Sequence, residues 1–397
     1  MTTVRVSSAV MTHPKRLAQA RELADLLRLD GLALDPDPDG PPSALRTALV
    51  AWAAADPARA GHHLVVQDDV SAPPTLLELV GRAAARFPDE ALVFYTNWHA
   101  RNGGAARLAA LAGAAWVRAV PDEFTPSLAV CLPAGTAEEF RRFATGSAER
   151  HDDEQFSVFF RARGRMSLIA VPNVVEHIGT SSINGHAAQG IRLAVCPTAA
   201  EDAGPLLDRG RVLEDPGWIP YMRYGEGYVR LVGQERGPDG GRGHHRWTDA
   251  LPATGLTEDA VRDAMSDGMP KDLAADVADR FGPEFAEELW IHCLLLGHRA
   301  AAARATLAST DEAIAPAALG DTPGGAPAAP SDDVPRDVLD RLRNAAVSTA
   351  GPAGLPPERR PEAGPDEVGL MSALAWTAVD AGERLPPGRP GRPGRPG

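Results

Sequence analysis

The stretch HLVVQDD, residues 63–69, decides the fold class, because an apolar run ends abruptly in two carboxylates. An apolar run of this length, bounded by polar residues, predicts a buried strand. In an open α/β sheet, ligands bind at the carboxyl ends of the strands. The stretch therefore predicts that a strand carries Gln67, Asp68 and Asp69 to the edge of a binding crevice.

Strands and helices alternate along the chain around this stretch. Residues 4–11 predict a strand, His-Pro at 13–14 ends it, and residues 17–29 have the apolar spacing of a helix. Residues 31–35 predict a second strand, and Ser43 is placed to cap the next helix. Such alternation is typical of a sheet with parallel strands and helices packed on its faces.

The alternating pattern predicts an α/β fold, a Rossmann-like mixed sheet flanked by helices, over residues 1–197. Residues 198–315 predict a loop-rich and then helical accessory region. Residues 316–397 combine a Pro- and Gly-rich linker, short helices and an Arg-Pro-Gly tail. The tail cannot bury a core, so we expect it to be disordered.

The composition of the chain argues against two classes of protein, those that bind nucleic acid and those that span a membrane. The 53 acidic and 40 basic residues give a formal charge of -13, which disfavours binding to the phosphate backbone of nucleic acid. No apolar run is long enough for a membrane span, and the N-terminus lacks the pattern of a signal peptide. We therefore expect a cytoplasmic protein. The abundance of Ala, Gly, Pro and Arg indicates a bacterial genome of high GC content.

Asp68 and Asp69 form the first candidate site. Two adjacent carboxylates repel each other, and a divalent cation is a natural way to neutralise them. Mg²⁺ or Mn²⁺ typically combines one or two carboxylates with phosphate oxygens. The simpler alternative is an Asp-rich turn that caps the next helix.

Asp152 and Asp153, followed by Glu154, form the second candidate site. A base that deprotonates a sugar hydroxyl must be a carboxylate or a histidine within hydrogen-bond reach. The alternative is an acidic first turn that the helix dipole favours.

His177 is the third candidate, since it follows Glu176 after a predicted strand and precedes Gly179 and the hydroxyls of Ser181 and Ser182. A neutral imidazole can ligate a divalent ion or donate to a phosphate. The alternative is a histidine that only makes structural hydrogen bonds.

Taken in order, these motifs resemble bacterial glycosyltransferases of the GT-A type, which use nucleotide sugars. The matching segments are SAVMTHP at 8–14, LD at 34–35, LVVQDD at 64–69, DDE at 152–154 and PNVVEHIG at 172–179. The resemblance covers about half of the chain. It implies a GT-A fold and the transfer of a sugar from a nucleotide-diphosphate donor to an acceptor hydroxyl.

The resemblance also implies roles for particular residues. Asp152 or Asp153 would be the catalytic base, and Asp68, Asp69 and His177 would hold Mn²⁺ or Mg²⁺. The nucleotide would lie against a set from the first three strand ends: Ala9, Val10, Met11, His13, Asp35 and Gln67. Gln67 replaces the first Asp that the family usually has, so it brings no charge to the metal.

The implied mechanism is direct displacement, and the late acidic pair favours inversion. Two alternatives remain open from the sequence. A nucleotidyltransferase would also use metal-bound carboxylates, but its usual Gly-rich phosphate loop is missing from residues 7–15. A non-catalytic interaction protein on a degenerate transferase fold would explain Gln67 as a sign of decay. The donor sugar, the acceptor and the oligomeric state are not specified by the sequence.

Overall fold

The computed structural model describes residues 4–178, 190–233, 243–314 and 334–386. The chain forms two compact units, one of Met1–Asn102 with Trp116–Asp208 and one of Gly103–Ala115 with Arg209–Gly397. The predicted boundary at residue 197 thus lies before the observed division at residue 208. Gly179, Ser181, Ser182, most of the linker and the Arg-Pro-Gly tail lie outside the described residues.

Up to residue 208, strands and helices alternate along most of the chain. In chain order they are β1 Val6–Thr12, α1 Leu17–Leu27, β2 Gly31–Leu34, α2 Ala44–Trp52, β3 His62–Gln67, β4 Val70–Ser71, α3 Leu76–Arg86, β5 Leu92–Val93, α4 Arg101–Ala112, β6 Trp116–Arg118, β7 Ala129–Pro133, α5 Ala134–Ala144, α6 Asp152–Ala162, β8 Leu168–Ala170, β9 Glu176–His177 and α7 Ala200–Asp208.

The first unit is built on a large mixed sheet with the strand order β6-β8-β5-β7-β3-β1-β2. Strands β2 and β3 both pair in parallel with β1, whereas β7 runs antiparallel to β3. The α/β architecture with a mixed sheet and flanking helices is therefore confirmed. The register aligns Met11 with Gln67 and Thr12 with Leu34, so the carboxyl ends of β1, β2 and β3 lie level.

Three helices of this unit, α2, α5 and α6, pack against one another through aromatic side chains. Phe140 of α5 stacks on Phe156 of α6 at 4.0 Å between ring centroids, and Trp52 of α2 meets both rings edge-on. All three side chains are fully buried. This cluster fixes the start of α6 relative to the sheet.

Helix α4 was not predicted from the sequence. Its sequence, RNGGAARLAALA, has no polar face, because nearly every residue of the helix is buried. An amphipathic period is therefore missing, as expected for a helix enclosed on all sides. A Cβ at Gly104 would lie 2.8 Å from the carbonyl oxygen of Pro220, so this position requires glycine.

From residue 209 the second unit combines short strands with a helical C-terminal region. Its elements are β10 Val212–Leu213, β11 Trp218–Arg223, β12 Glu226–Leu231, β13 His244–Arg246, α8 Trp247–Thr254, α9 Glu258–Gly268, α10 Lys271–Phe281, α11 Pro283–Ile314, α12 Arg336–Ser348, α13 Ala350–Gly354 and α14 Pro365–Arg384. Strands β11, β12 and β13 form an antiparallel sheet where the sequence predicted only Gly-rich loops.

The predicted helical C-terminal region is confirmed, and α14 is a core helix rather than a short one. It packs closely on α11, since a Cβ at Gly382 would lie 2.0 Å from the carbonyl oxygen of Leu294. Among the described helices, none combines the length and the apolar character that crossing a membrane requires.

Candidate functional site

A cavity of about 710 Å³ opens in the first unit at the carboxyl ends of β1, β2 and β3. Nine of the residues singled out from the sequence line it: Met11, His13, Asp35, Gln67, Asp68, Asp69, Asp152, Asp153 and His177. Ala9 and Val10 do not, because they are buried inside β1 and flanked on both sides by β2 and β3. The polar residues that follow the strands thus converge, although 164 positions of sequence separate His13 from His177.

Asp35 follows β2, and its backbone N–H donates to the carbonyl oxygen of Thr12 at 3.0 Å. Its carboxylate receives two hydrogen bonds from Arg46 of α2, from Nε at 2.7 Å and from Nη2 at 2.8 Å. This bidentate pair lowers the pKa of Asp35, against the opposing effect of burial. Asp35 is therefore charged and rigidly held at the cavity wall.

Asp68 and Asp69 follow β3 and share one guanidinium. Nη1 of Arg16 lies 3.1 Å from Oδ1 of Asp68 and 3.2 Å from Oδ2 of Asp69. The hydroxyl of Thr12, the last residue of β1, donates to Oδ2 of Asp68. Gln19 of α1 donates to the backbone carbonyl oxygen of Asp68 at 2.8 Å, which fixes the turn.

The two carboxylates of this pair titrate differently. Burial raises the pKa of Asp68, and Thr12 and Arg16 offset this only in part. Burial also acts to raise the pKa of Asp69, but His177 and Arg16 outweigh it, and the pKa lies below its ordinary value. Oδ1 of Asp69 is buried and has no hydrogen-bond partner within the described part of the chain.

His177 reaches the cavity because β4 and β9 pair antiparallel, with Val70 opposite His177. This pairing brings Nε2 of His177 to 3.6 Å from Oδ2 of Asp69. Nη2 of Arg192 lies 3.0 Å from the same Nε2. The backbone oxygen of Arg192 in turn accepts a hydrogen bond of 2.6 Å from the hydroxyl of buried Tyr95.

Asp152 and Asp153 begin α6, and the acidic residues therefore do occupy the first turn of a helix. Asp152 is nevertheless only 4% exposed and lines the cavity. Nε2 of Gln67 lies 3.3 Å from Oδ2 of Asp152 and 3.0 Å from the hydroxyl oxygen of Ser127. Gln67 thus connects the end of β3 to the start of α6.

Burial raises the pKa of both members of this second pair. For Asp152, hydrogen bonds from Ser127 and backbone N–H groups oppose the rise without cancelling it. For Asp153, the neighbouring charge of Asp152 adds to the effect of burial. The two groups are coupled, so they titrate as one unit that retains a proton above the ordinary carboxyl range.

The donor set around Asp68 and Asp69 does not fit a divalent cation while Arg16 is in place. Thr12 and Arg16 already contact three of the four carboxylate oxygens. Nε2 of His177 is also in contact with a guanidinium, that of Arg192. Within residues 4–178, 190–233, 243–314 and 334–386, no three His, Cys, Asp or Glu side chains are grouped so as to hold a metal ion.

Sequence reasoning missed the cations that line this cavity, which are Lys15, Arg16, Arg46 and Arg192. A signal existed for Arg16, because Lys15 and Arg16 follow β1 directly, at the edge where ligands collect. No comparable signal marked Arg192, which follows His177 by 15 positions in the sequence.

No protein-family model matches the chain, and no curated protein sequence matches it.

Proposed function

We propose that the first unit is a nucleotide-sugar-dependent glycosyltransferase of the GT-A type, which transfers a sugar to an acceptor hydroxyl with inversion. The observation that carries the proposal is the convergence of the acidic motifs at 35, 68–69 and 152–153 on one cavity, at the level carboxyl ends of three strands. Its volume lies within the roughly 300–1,000 Å³ of small-molecule sites.

Asp153 is the base in this proposal. It lines the cavity and is less buried than Asp152, and its raised pKa suits a group that must take a proton near neutral pH. The acceptor hydroxyl gives its proton to the Asp153 carboxylate as its oxygen attacks the anomeric carbon. The bond from that carbon to the diphosphate oxygen breaks, and its electron pair leaves with the nucleoside diphosphate.

Asp152 is a positioning residue, held by Gln67 and Ser127. Its charge raises the pKa of Asp153, which strengthens the base. In this interpretation Gln67 is no sign of decay, because its amide fixes the carboxylate beside the base.

The cations of the cavity suit the donor. Arg16, Arg192 and Lys15 line it together with Asp35, whose carboxylate can accept from ribose hydroxyls. Guanidinium groups match phosphate oxygens in shape and charge. Lys15 and Arg16 lie between β1 and α1, beside the ends of the strands.

The test is a panel of nucleotide sugars, measured first by thermal shift and then by release of the nucleoside diphosphate, with water or simple sugars as acceptors. We expect at least one donor to raise the melting temperature and to turn over. Asp153→Asn should bind that donor normally but turn over about 100- to 10,000-fold more slowly, the usual contribution of a general base.

Asp202→Asn is the matched control, since Asp202 lies in the first turn of α7 in the same unit and does not line the cavity. It should keep full turnover. A panel without any stabilising nucleotide, or an Asp153→Asn variant as fast as the control, would contradict the proposal.

A further inference from the structure

The guanidinium of Arg16 contacts the two adjacent carboxylates of Asp68 and Asp69. A single nitrogen, Nη1, contacts Asp68 at 3.1 Å and Asp69 at 3.2 Å, with 16% of the Arg16 side chain exposed and 8% and 15% of the aspartates. The two distances are nearly equal, so the charge lies between the two carboxylates. Burial of this kind strengthens the pairing relative to a surface ion pair.

A second guanidinium is connected to Asp69 through His177. Oδ2 of Asp69 is 3.6 Å from Nε2 of His177, and that nitrogen is 3.0 Å from Nη2 of Arg192. Arg16, Asp69, His177 and Arg192 therefore form a chain of contacts, and all four residues line the cavity. Guanidinium groups can bind the oxygens of a diphosphate.

We propose that Arg16 is the resident cation of the Asp68–Asp69 pair, and that the cavity binds a nucleoside diphosphate through arginine instead of a divalent metal. A dication placed at these carboxylates would lie next to the Arg16 guanidinium, and the repulsion between like charges would disfavour it. The identity of the ligand rests on the proposed function, whereas the choice between arginine and metal does not.

The decisive experiment titrates Mn²⁺ into the full-length protein and counts bound ions by electron paramagnetic resonance. The variants are wild type, Arg16→Ala and Arg118→Ala. Arg118 is the matched control, because it is similarly buried, pairs with Glu90 at 2.9 Å and does not line the cavity. Arg16→Ala should bind Mn²⁺ more tightly than wild type by on the order of tenfold or more, since a nearby positive charge is removed.

Wild type and Arg118→Ala should show no specific Mn²⁺ site. One equivalent of Mn²⁺ bound to wild type and lost in Asp69→Asn would overturn the proposal, and so would an Arg16→Ala variant that gains no Mn²⁺ binding. If Arg16→Ala does not fold, Arg16→Gln replaces it, and the wild-type titration remains decisive by itself.

Binding of UDP and GDP is then measured with EDTA and with Mn²⁺. Wild-type affinity should be the same in both conditions, and Arg16→Ala should lose about 10- to 100-fold in EDTA, as expected for a hydrogen bond to a charged group. A wild-type affinity that collapses in EDTA would overturn the proposal. If wild type binds neither nucleotide, the proposed function fails, and the Mn²⁺ titration still decides whether Arg16 takes the place of the metal.

Discussion

Asp68 and Asp69 differ from Asp152 and Asp153 in how the same cavity accommodates two adjacent acids. The first pair shares the guanidinium of Arg16, and His177 lies beside it. The second pair begins a helix, and its contacts come from the Gln67 amide, the Ser127 hydroxyl and backbone N–H groups.

The groups around each pair determine which chemistry its carboxylates can perform. His177 and Arg16 lower the pKa of Asp69, so that group can orient Arg16 but is a poor proton acceptor. Neutral donors leave the second pair with raised pKa values, so one proton is retained near neutral pH. The proposed function therefore assigns proton transfer to the second pair and the recognition of charge to the first.

After the loss of the base Asp153, the largest effect should come from removing one charge of the first pair. Asp69→Asn takes away a charged partner of Arg16, so Arg16 is less well oriented for the donor. We expect kcat/KM to fall about 10- to 100-fold, mainly through KM, since a hydrogen bond to a charged group contributes roughly 1.5–3 kcal/mol. Steady-state kinetics with varied donor measure it, and a fall in kcat alone would assign Asp69 to the proton-transfer step instead.

A smaller effect should appear in the pH profile. Because the Asp153 base must lose its proton, wild-type kcat/KM should fall as the pH decreases, with the midpoint above the ordinary carboxyl range. Asp152→Asn removes the neighbouring charge that raises the pKa of Asp153, so the fall should move to lower pH. The kcat/KM of each protein is expressed as a fraction of its value at the high-pH plateau. At the lowest pH, Asp152→Asn should retain a fraction about tenfold larger than that of wild type. An unshifted profile would mean that the pair does not control the rate.

The smallest effect should be on stability, with opposite signs for the two pairs. The raised pKa of Asp153 means that its contribution to stability is present below the unfolded-state pKa and is lost as the pH rises through the folded-state value. The melting temperature of Asp153→Asn should therefore increase, relative to that of wild type, as the pH rises. Asp69 has a lowered pKa, so its contribution is present above the unfolded-state pKa and is lost at acid pH.

Asp69→Asn should accordingly melt below wild type at pH 7 and approach it at acid pH. Both differences should be on the order of 2–4 °C, the shift that about 1 kcal/mol produces in a unit of this size. Melting curves from pH 4 to 9 measure them, and equal signs for the two variants would contradict the comparison.

The sequence predicted the carboxylates of the cavity better than its cations. An apolar strand directly precedes both Asp35 and Asp68, and Asp69 comes next. The carboxyl ends of parallel strands lie at the same edge of a sheet, so these residues could be expected to lie close together. Arg16 was missed because its position in a loop does not show which acids it will meet. A metal was expected from two repelling charges, and the sequence contains nothing that distinguishes a metal from an arginine as their counter-ion.

The helices and strands were also predicted only in part. Helices α1 and α2 were predicted, since an apolar stripe or a capping Ser43 marks them. Helix α4 was not predicted, because it is buried on all sides and has no period to detect. The hairpin of β11 and β12 was not predicted, because its two strands, on either side of Tyr224 and Gly225, are short and mix polar with apolar residues.

The α/β class and the acidic residues that follow β2 and β3 could be predicted from the amino-acid sequence, and so could the order of most strands along the chain. These features depend on local periodicity and on the position at which an apolar run ends. The folded chain was needed to show that Gln67 reaches Asp152, that Arg16 lies between Asp68 and Asp69, and that His177 joins them through β4 and β9. These contacts join residues 52 to 108 positions apart, and their energies depend on burial and charge at short distance, which no local pattern encodes.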